Sequence, residues 1–507
     1  MAYHTDIFDA GQFIEELVYK SDTELQVNLD GIDHSFNLPT GDDNIDDYNY
    51  YCTDIKLKKY CSIDPSGDSV SNFMGYGNLK ASQLTVKLNC KDASLLPSNT
   101  SGPYYGHFTK SGYIDVYSTF TTYNSDGNIS KESERQYLGR YYIDSWESGS
   151  TNSDYTEITI TASDLFSRIK DIDISNIELT SYTTTTGSNI KEETLGDIIQ
   201  DVVNCVNSQT SYSLNFVKSG FNDKMQVFVD GLLFGVIKHN NNIKFTTFGE
   251  FINSISKYCL INFWISPLEY LAFNVPRDIL YESVTTSDAS HYISGGLNSM
   301  TDGGDLGCIL DSTNLSLVVK YIPSFTLSNT ELVSQTVQLP QFGYDLSQLN
   351  VDDKIEKVTG IVFNTEASDV SVTGLRNNTH KIFGLLDSLY AEDDGKDVQF
   401  TIYGWKYTAA DMVSDETYKT SNSGIVNIEN PYIHVNSEAV FTKELHDIAT
   451  LNNKMVYVEG FLSPGIMMGD LVCIENTELK IADVYRVVQI EYDLNTNYRC
   501  KMYLVKY

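Results

Sequence analysis

Six β-forming segments follow one another between residues 24 and 180, and they constrain the fold more than any other feature of this chain. In each segment, β-branched or aromatic residues recur near every second position, as in a strand with one buried face. Clusters of Gly, Asn, Asp and Ser separate the segments and favour turns. The segments are ELQVNLDG, NYYCTDIKLKKYCSI, LKASQLTVKLNC, YIDVYSTFTTY, QYLGRYYIDSWES and YTEITITA. We therefore predict a β-rich first domain over residues 1–185.

Residues 138–169 combine a strand pair with a helical pattern. The second strand alternates apolar residues with threonines, which indicates one buried face. Helical spacing begins directly after this strand and predicts a helix of about two to three turns that packs across the new sheet. The apolar positions of the strand are Ile158, Ile160 and Ala162, and those of the helix are Leu165, Phe166 and Ile169. We expect strand pair and helix to form one packed unit.

Residues 186–275 are predicted to form a mixed α/β module. Thr194 can cap a helix, and Asp197 favours its positive N-terminal end. The apolar positions of this helix are Leu195, Ile198, Ile199, Val202 and Val206. Thr247 and Glu250 form a capping-box pattern ahead of a second helix. Short strands are predicted in MQVFVDGLLFGVIK, LINFWIS and EYLAFNV, and residues 288–307 are typical of a long loop or boundary.

The second half of the chain returns to β structure. KIEKVTGIVFN and DVQFTIYGW predict strands in a second β-rich domain over residues 276–430. A break at Asn430 and Pro431 precedes a final domain over residues 431–507, in which one helix is followed by closing strands. The apolar positions of that helix are Val440, Phe441, Leu445, Ile448 and Ala449. The predicted fold class is mainly β with an α+β insert, and barrel-like β regions flank the mixed module.

The net charge of the chain argues against DNA and RNA as binding partners. The chain has 68 acidic and 35 basic residues and a formal net charge of −33, so its average surface repels phosphates. We therefore expect proteins or neutral molecules as partners. The N-terminus lacks a signal-peptide pattern, and no segment has the roughly 18 apolar residues of a membrane helix. We expect synthesis in the cytosol and no membrane-spanning segment.

Motifs that carry chemistry are absent from the sequence. The eight histidines show no zinc-protease spacing, the eight cysteines form no C-x-x-C pair and are expected to be free and mostly buried, and Gly75 and Gly77 lack the rest of a phosphate-binding loop. The acidic turns could hold calcium but lack the EF-hand pattern. These turns contain Asp42, Asp43, Asp46 and Asp47, and then Asp302 and Asp305. We predict no catalytic, cofactor-binding or metal-binding residues.

The order of the segments resembles tail-hub proteins of long-tailed bacteriophages and prophages. The N-terminal likeness lies in the order of LKASQLTVKL, YIDVY, LGRYYIDSWE and ITITASDLFSRIKD. The third segment resembles the family's "G-x-F-Y-I-D-x-W" pattern, with Tyr141 in place of Phe, and the fourth resembles its "I-T-I-T-A-x-D" pattern. The C-terminal likeness lies in IENPYI, a helix and GDLVCI. The resemblance implies two tube-like barrels in each chain and a trimer that continues the hexameric tail tube. It implies no enzyme, because the peptidase or glycan-binding extension of many members is not matched here.

The resemblance also implies partners and a location. A hub contacts the tail-tube or distal tail protein, tip or spike proteins and the tape measure, lies at the tail tip or baseplate of the virion, and lets DNA pass without specific binding. The loop at residues 148–154 would serve contacts between subunits or with the next ring. Since cationic contacts to phosphate would slow DNA, we expect an acidic lumen, with Asp42–Asp47 and Glu392–Asp394 as candidates.

The sequence leaves two other functions open. The chain could be a receptor- or glycan-binding tail protein, even one that degrades polysaccharide, because a glycosidase needs only two suitably spaced carboxylates. It could also be an unrelated secreted adhesin. Exposed aromatic platforms would favour sugar binding, but Trp146, Trp264 and Trp405 lie in apolar runs, where core packing is the expected role.

Overall fold

The computed structural model confirms a mainly β fold with several sheets. It describes residues 18–506 apart from 30, 38–49, 67–69, 92–94, 97–98, 103, 106–111, 124–128, 133, 151–154, 176–194, 220, 222–244, 275–290, 295–304, 310–314, 324, 350, 352–354, 366–368, 378–380, 389, 391–392, 394, 423, 433–437, 451–454, 461–464, 477–479 and 496–497. The predicted cap Thr194, the strand predicted at MQVFVDGLLFGVIK and most of the loop at 148–154 lie outside these residues. The predicted domain boundaries remain a prediction.

The strands and helices have the following bounds. The first region contains β1 (Val18–Leu29), β2 (Ile32–Asn37), β3 (Tyr50–Tyr60), β4 (Gln83–Lys91), β5 (Tyr113–Tyr123), β6 (Ile129–Glu132), β7 (Gln136–Ser150) and β8 (Tyr155–Ser163). The middle contains α1 (Phe166–Ile169), α2 (Leu195–Gln209), α3 (Phe248–Cys259), β9 (Asn262–Ile265), β10 (Leu271–Asn274), β11 (His291–Ser294), β12 (Asp305–Ile309) and β13 (Ser316–Tyr321).

The remaining elements complete the chain. They are β14 (Phe325–Gln338), β15 (Tyr344–Asp345), β16 (Ile355–Thr365), β17 (Val370–Asn377), β18 (Ile382–Ser388), β19 (Asp397–Ala409), β20 (Val413–Tyr418), β21 (Ile425–Glu429), α4 (Glu438–Thr450), β22 (Met455–Gly460), β23 (Leu471–Asn476), β24 (Ile481–Asp493) and β25 (Arg499–Lys506). All six segments of the opening pattern are strands, and β2 and β6 are added to them. Strands also occupy both ends of the predicted loop at 288–307, because β11 and β12 pair with β23 and β22.

One sheet of 14 strands joins the two ends of the chain. Its main order is β12-β22-β25-β24-β3-β4-β8-β7-β5-β1-β2. β24 links the two halves: one edge pairs with β25, and the other pairs first with β23 and then with β3. The first and last regions therefore share a strand, and they also share one hydrophobic core, the first core, which includes Val86, Ile160, Val458 and Ile490.

The N-terminal part of this sheet rolls back on itself. After β24, the Leu494 N–H donates to Ile55 O at 2.9 Å. The Thr23 hydroxyl, five strands away from β3 in the sheet, donates to Leu494 O at 3.3 Å, and the Ser21 hydroxyl donates to Asn495 O at 2.7 Å. Among the described residues, hydrogen bonds from side chains, and not a strand pair, connect β1 to the segment that follows β24. The sheet is therefore rolled but not closed into a barrel.

Helix α1 is shorter than predicted and faces a different core. It has only 4 residues. Leu165, Phe166 and Ile169 are buried, but they belong to a second core with α2, α3 and α4, whereas Ile158 and Ile160 belong to the first core. The helix ends early because Lys170 O and Ile172 O accept hydrogen bonds from the first N–H groups of α3, Gly249 and Phe248. The corner thus links two cores instead of covering one sheet.

The other predicted helices match their patterns. All five predicted apolar positions of α2 are buried. Thr247 and Glu250 form the predicted capping box at the start of α3. In α4, Phe441, Leu445 and Ala449 are buried in the second core, which also takes in strand β13 of the sheet β20-β13-β21.

Residues 325–409 form a unit with its own core. Two three-stranded sheets, β14-β19-β16 and β15-β18-β17, provide its strands. Their inner residues form a third core of Val337, Leu339, Leu346, Leu349, Ile355, Ile382, Leu386, Val398, Phe400 and Ile402. This unit accounts for most of the predicted second β-rich region.

Candidate functional site

The corner between β7, β8 and α1 brings together the two aspartates of the sequence motifs. Asp144 of LGRYYIDSWE binds Arg168 of α1, with Oδ1 at 2.9 Å from Nη2. The same guanidinium donates to Ile143 O at 2.7 Å, and the Ser163 hydroxyl donates to Asp144 Oδ2 at 2.5 Å. Asp144 therefore ties α1 to the end of the β7–β8 pair.

Asp164 holds the same corner from the other side. Its Oδ2 accepts from Ser82 N at 2.9 Å and its Oδ1 accepts from Phe166 N at 3.0 Å. The residue is 6% exposed. Burial raises the pKa of its carboxyl to about 7, although these hydrogen bonds and the charge of Lys59 favour the ionised form. Asp164 thus joins β4 to the first turn of α1.

Lys59 and Asp164 line a small cavity beside this corner, together with Tyr141, Ser266 and Glu269. Burial lowers the pKa of the Lys59 ammonium to about 8, against the attraction of Asp164. The ammonium also lies 5.5 Å from the centre of the Tyr492 ring on β24. The cavity therefore lies where the first core, the second core and the shared strand β24 approach one another.

A second polar cluster fixes the outer side of β5 and β7. Asp115 accepts from Arg140 Nε at 2.9 Å and Nη2 at 2.8 Å, which is the strong two-point geometry of an arginine–carboxylate pair. The Tyr137 hydroxyl adds a third hydrogen bond at 2.9 Å. The Arg140 guanidinium lies 3.9 Å from the centre of the Tyr113 ring. Burial, and then the charge of Asp115, raise the pKa of Tyr137.

The motif residues share a structural role. The carboxylates of Asp144, Asp164 and Asp115 each accept from a guanidinium, a backbone N–H or a hydroxyl that belongs to a neighbouring strand or helix. Such bonds orient secondary-structure elements and stabilise their packing. The arrangement supports architecture, and the sequence indicated these positions only through the family pattern.

Most residues of the predicted acidic turns lie outside the part of the chain that the structure describes. Asp42–Asp47, Asp302, Glu392 and Asp394 lie outside the described residues, and Asp305 begins β12. Asp393 is fully buried and accepts from the Ser388 hydroxyl at 2.6 Å and Lys396 Nζ at 2.5 Å, so it does not face a lumen. Within the described part of the chain, no group of three His, Cys, Asp or Glu residues could hold a metal ion.

The predicted roles of the cysteines and two tryptophans agree with the structure. Seven cysteines have described side chains, of which six are buried and all are free. Trp146 and Trp264 pack against the first core. Trp405 differs, because it is not among the residues that pack against the third core and instead lies half-buried on the outside of β19. Among the described residues, no helix is long and apolar enough to cross a bilayer.

The sequence patterns did not indicate one further candidate site, the outward surface of β14, β19 and β16. In DVQFTIYGW, Val398, Phe400 and Ile402 point into the third core, so the residues between them point outward. We call this surface the outer face and define it by Ser334, Val362, Asn364, Gln399, Thr401, Tyr403 and Trp405. Strict alternation in DVQFTIYGW was the signal that could have revealed it.

The chain was compared with known proteins. No protein-family model and no curated protein matches it. It is similar to the crystal structure of the 43 kDa tail protein of prophage MuSo2 from Shewanella oneidensis, with a TM-score of 0.41 and 9% identity, over 95% of this chain and 98% of that one. A tail protein from Neisseria meningitidis MC58 is similar with a TM-score of 0.38 and 9% identity, over 96% of both chains.

Prophage tail protein gp18 from Listeria monocytogenes EGD-e is similar with a TM-score of 0.42 and 9% identity, over 95% of this chain and 94% of that one. All three solved structures are tail proteins, the class that the sequence motifs resemble. At these low scores and identities, the likeness concerns the general path of the chain and nothing finer.

Proposed function

We propose that this chain is a structural protein of a phage tail, and more specifically a homotrimeric hub at the tail tip or baseplate. The support comes from the motif positions themselves: Asp144 of LGRYYIDSWE and Asp164 of ITITASD both fasten the corner where β8 leads into α1. A protein whose characteristic residues fix geometry is suited to build a rigid ring.

One observation carries the proposal. β24 belongs to two sheet regions at once, since its start pairs with β23 and its end pairs with β3. Each chain thus has two β regions that share one strand and one hydrophobic core. Three such chains around an axis would provide six β regions, which is the number needed to continue a hexameric tube.

The proposed partners follow from this arrangement. One side of the ring would dock the tail-tube or distal tail protein, and the other would hold tip or spike proteins and receive the tape measure. DNA would pass through the centre without specific binding, because the chain has a net charge of −33. The protein would be made in the host cytoplasm and incorporated into the virion.

Native mass spectrometry of the purified chain tests the trimer. We expect a species of three times the 56.9 kDa chain mass at micromolar concentration. Raising the salt concentration should not dissociate it if strand and core packing hold the ring, since salt screens exposed charges most strongly. A stable monomer across the same concentrations would contradict the hub and favour the receptor-binding alternative.

A further inference from the structure

The outer face carries exposed aromatic and polar side chains on a rigid sheet. Tyr403 is 39% exposed and Val362 is 58% exposed, whereas Phe400 and Ile402, which point the other way from β19, are fully buried. Trp405 continues the row of Tyr403 along the outside of β19 and is half-buried. The third core therefore holds this row of aromatic rings in a fixed position.

The surroundings of Tyr403 leave its ring accessible. The register places Gly360 of β16 directly beside Tyr403, and nothing lies within 4 Å of the position that a Cβ of Gly360 would occupy. Gly404, the next residue of β19, faces inward, where a Cβ would come within 2.5 Å of Leu332 Cδ1. Gly360 thus leaves space beside the Tyr403 ring. Gly404 lets the Leu332 side chain and the Lys357 backbone approach β19 closely.

Hydrogen-bonding side chains flank the ring in neighbouring rows. The hydroxyls of Ser334 and Thr401 lie 3.0 Å apart, and Asn364 Nδ2 donates to Gln399 Oε1 at 3.1 Å. Each hydroxyl and amide retains further donor or acceptor capacity, since an amide has two N–H groups and a carbonyl with two lone pairs. The outer face therefore offers both donors and acceptors from positions that their cross-strand contacts already fix.

The charge of this surface differs from that of the whole chain. In the four rows from Gln399 to Trp405, the cross-strand partners include one acidic residue, Glu331, and one basic residue, Lys357, so these rows carry no net charge, although the chain has a net charge of −33. A polyanion would be repelled by the chain as a whole, and any charged ligand would meet both a carboxylate and an ammonium group at this surface. Neutral molecules with many hydroxyl groups match this surface best.

We propose that the outer face binds a neutral oligosaccharide. The rings of Tyr403 and Trp405 stack against the C–H faces of the sugar rings, and the side chains of Gln399, Thr401, Ser334 and Asn364 exchange hydrogen bonds with sugar hydroxyls. Tyrosine and tryptophan suit this role because they provide a large rigid contact at a small cost in conformational entropy. All of these residues belong to the unit of residues 325–409, so the site needs no residue from a second chain.

Titration of the full-length protein with neutral hexasaccharides of glucose, galactose, mannose, rhamnose and N-acetylglucosamine tests the site. We expect at least one hexasaccharide to bind and Tyr403→Ala to weaken its binding by about ten-fold, a loss in the range of one aromatic contact. Tyr403→Phe keeps the ring and should stay within about two-fold of the unmodified protein. Tyr390→Ala is the matched control, because Tyr390 is 47% exposed but lies outside the outer face.

Three results would overturn the proposed oligosaccharide site. They are an absence of binding by all five hexasaccharides, equal binding by Tyr403→Ala and the unmodified protein, and an equal loss in Tyr390→Ala. Preference for an anionic polysaccharide such as polygalacturonate would also contradict the neutral ligand. The native mass of each variant separates this outcome from the hub proposal, because none of these substitutions should change the oligomeric state.

Discussion

At the residue scale, Asp164 is the side chain on which the corner between the two cores depends. It is buried, it joins Ser82 of the segment before β4 to Phe166 of α1, and it faces the Lys59 ammonium across a small cavity. A buried carboxylate costs stability unless hydrogen bonds and charges compensate it. Its protonation should therefore be coupled to the stability of the corner.

Burial raises the pKa of Asp164 from 3.8 to about 7, and this shift sets a pH dependence. Between these two values the folded protein binds a proton at this site that the unfolded chain does not, so the contribution of Asp164 to stability falls as pH rises from about 4 to 7. We expect the melting temperature of the unmodified protein, relative to Asp164→Asn, to be higher at pH 5.5 than at pH 7.5. A difference that stays constant or grows with pH would contradict this.

Phe166 supports the second core at the same corner. It is 2% exposed, and its ring centre lies 6.3 Å from that of Phe248 on α3. Phe166→Ala should lower the free energy of unfolding by about 3–5 kcal/mol, as for other buried aromatic residues. Denaturation together with hydrogen exchange of α3 measures this, and Phe342→Ala is the control, because Phe342 is 84% exposed and should change little. Equal stability of Phe166→Ala and the unmodified protein would show that the ring is not part of a core.

At the scale of single helices and strands, the sequence predicted an element well where residues within that element determine where it begins and ends. The apolar spacing of α2 and the Thr247–Glu250 capping box of α3 depend on residues within one helix, and both were confirmed. Helix α1 was predicted too long because the carbonyls that directly follow it, Lys170 O and Ile172 O, bond to the start of α3, almost 80 residues later. No periodicity in SDLFSRIKDI could indicate that competition.

Gly77 tests how the segment before β4 packs on α3. Gly77 and Gly31 have the same φ of +86°, but a Cβ on Gly77 would come within 2.7 Å of Asn253 O and Lys257 Cβ, whereas nothing lies within 4 Å at Gly31. Gly31→Ala should cost about 1 kcal/mol through backbone strain alone. Gly77→Ala should cost about 1–3 kcal/mol more, because α3 must move. Melting temperatures of the two variants measure the difference, and equal losses would contradict this packing.

At the scale of the whole molecule, the shared strand β24 is the feature that the sequence could not predict. Its residues Gln489–Asp493 pair with Lys56–Tyr60, at the opposite end of the chain. Alternation identified both strands, but it does not specify which strands pair over such a distance, because partner choice depends on the packing of the complete core. For the same reason, the motif aspartates were recognised as a pattern while their partners were not.

The net charge of the chain leads to an expectation about the inner wall of the assembled ring. If DNA passes through the ring, cationic contacts to phosphate would add affinity and slow its passage. The wall that faces the axis should therefore carry more Asp and Glu than Lys and Arg. Asp393 cannot contribute, since it is buried and paired with Lys396.

A cryo-electron microscopy reconstruction of the purified full-length protein tests the central claim most directly. The account predicts a ring of three chains in which the β regions joined by β24 surround the axis in pseudo-sixfold order and present an acidic wall to the lumen. Single chains, or an assembly without threefold symmetry, would contradict the hub. A threefold ring with a basic lumen would contradict the proposed passage of DNA.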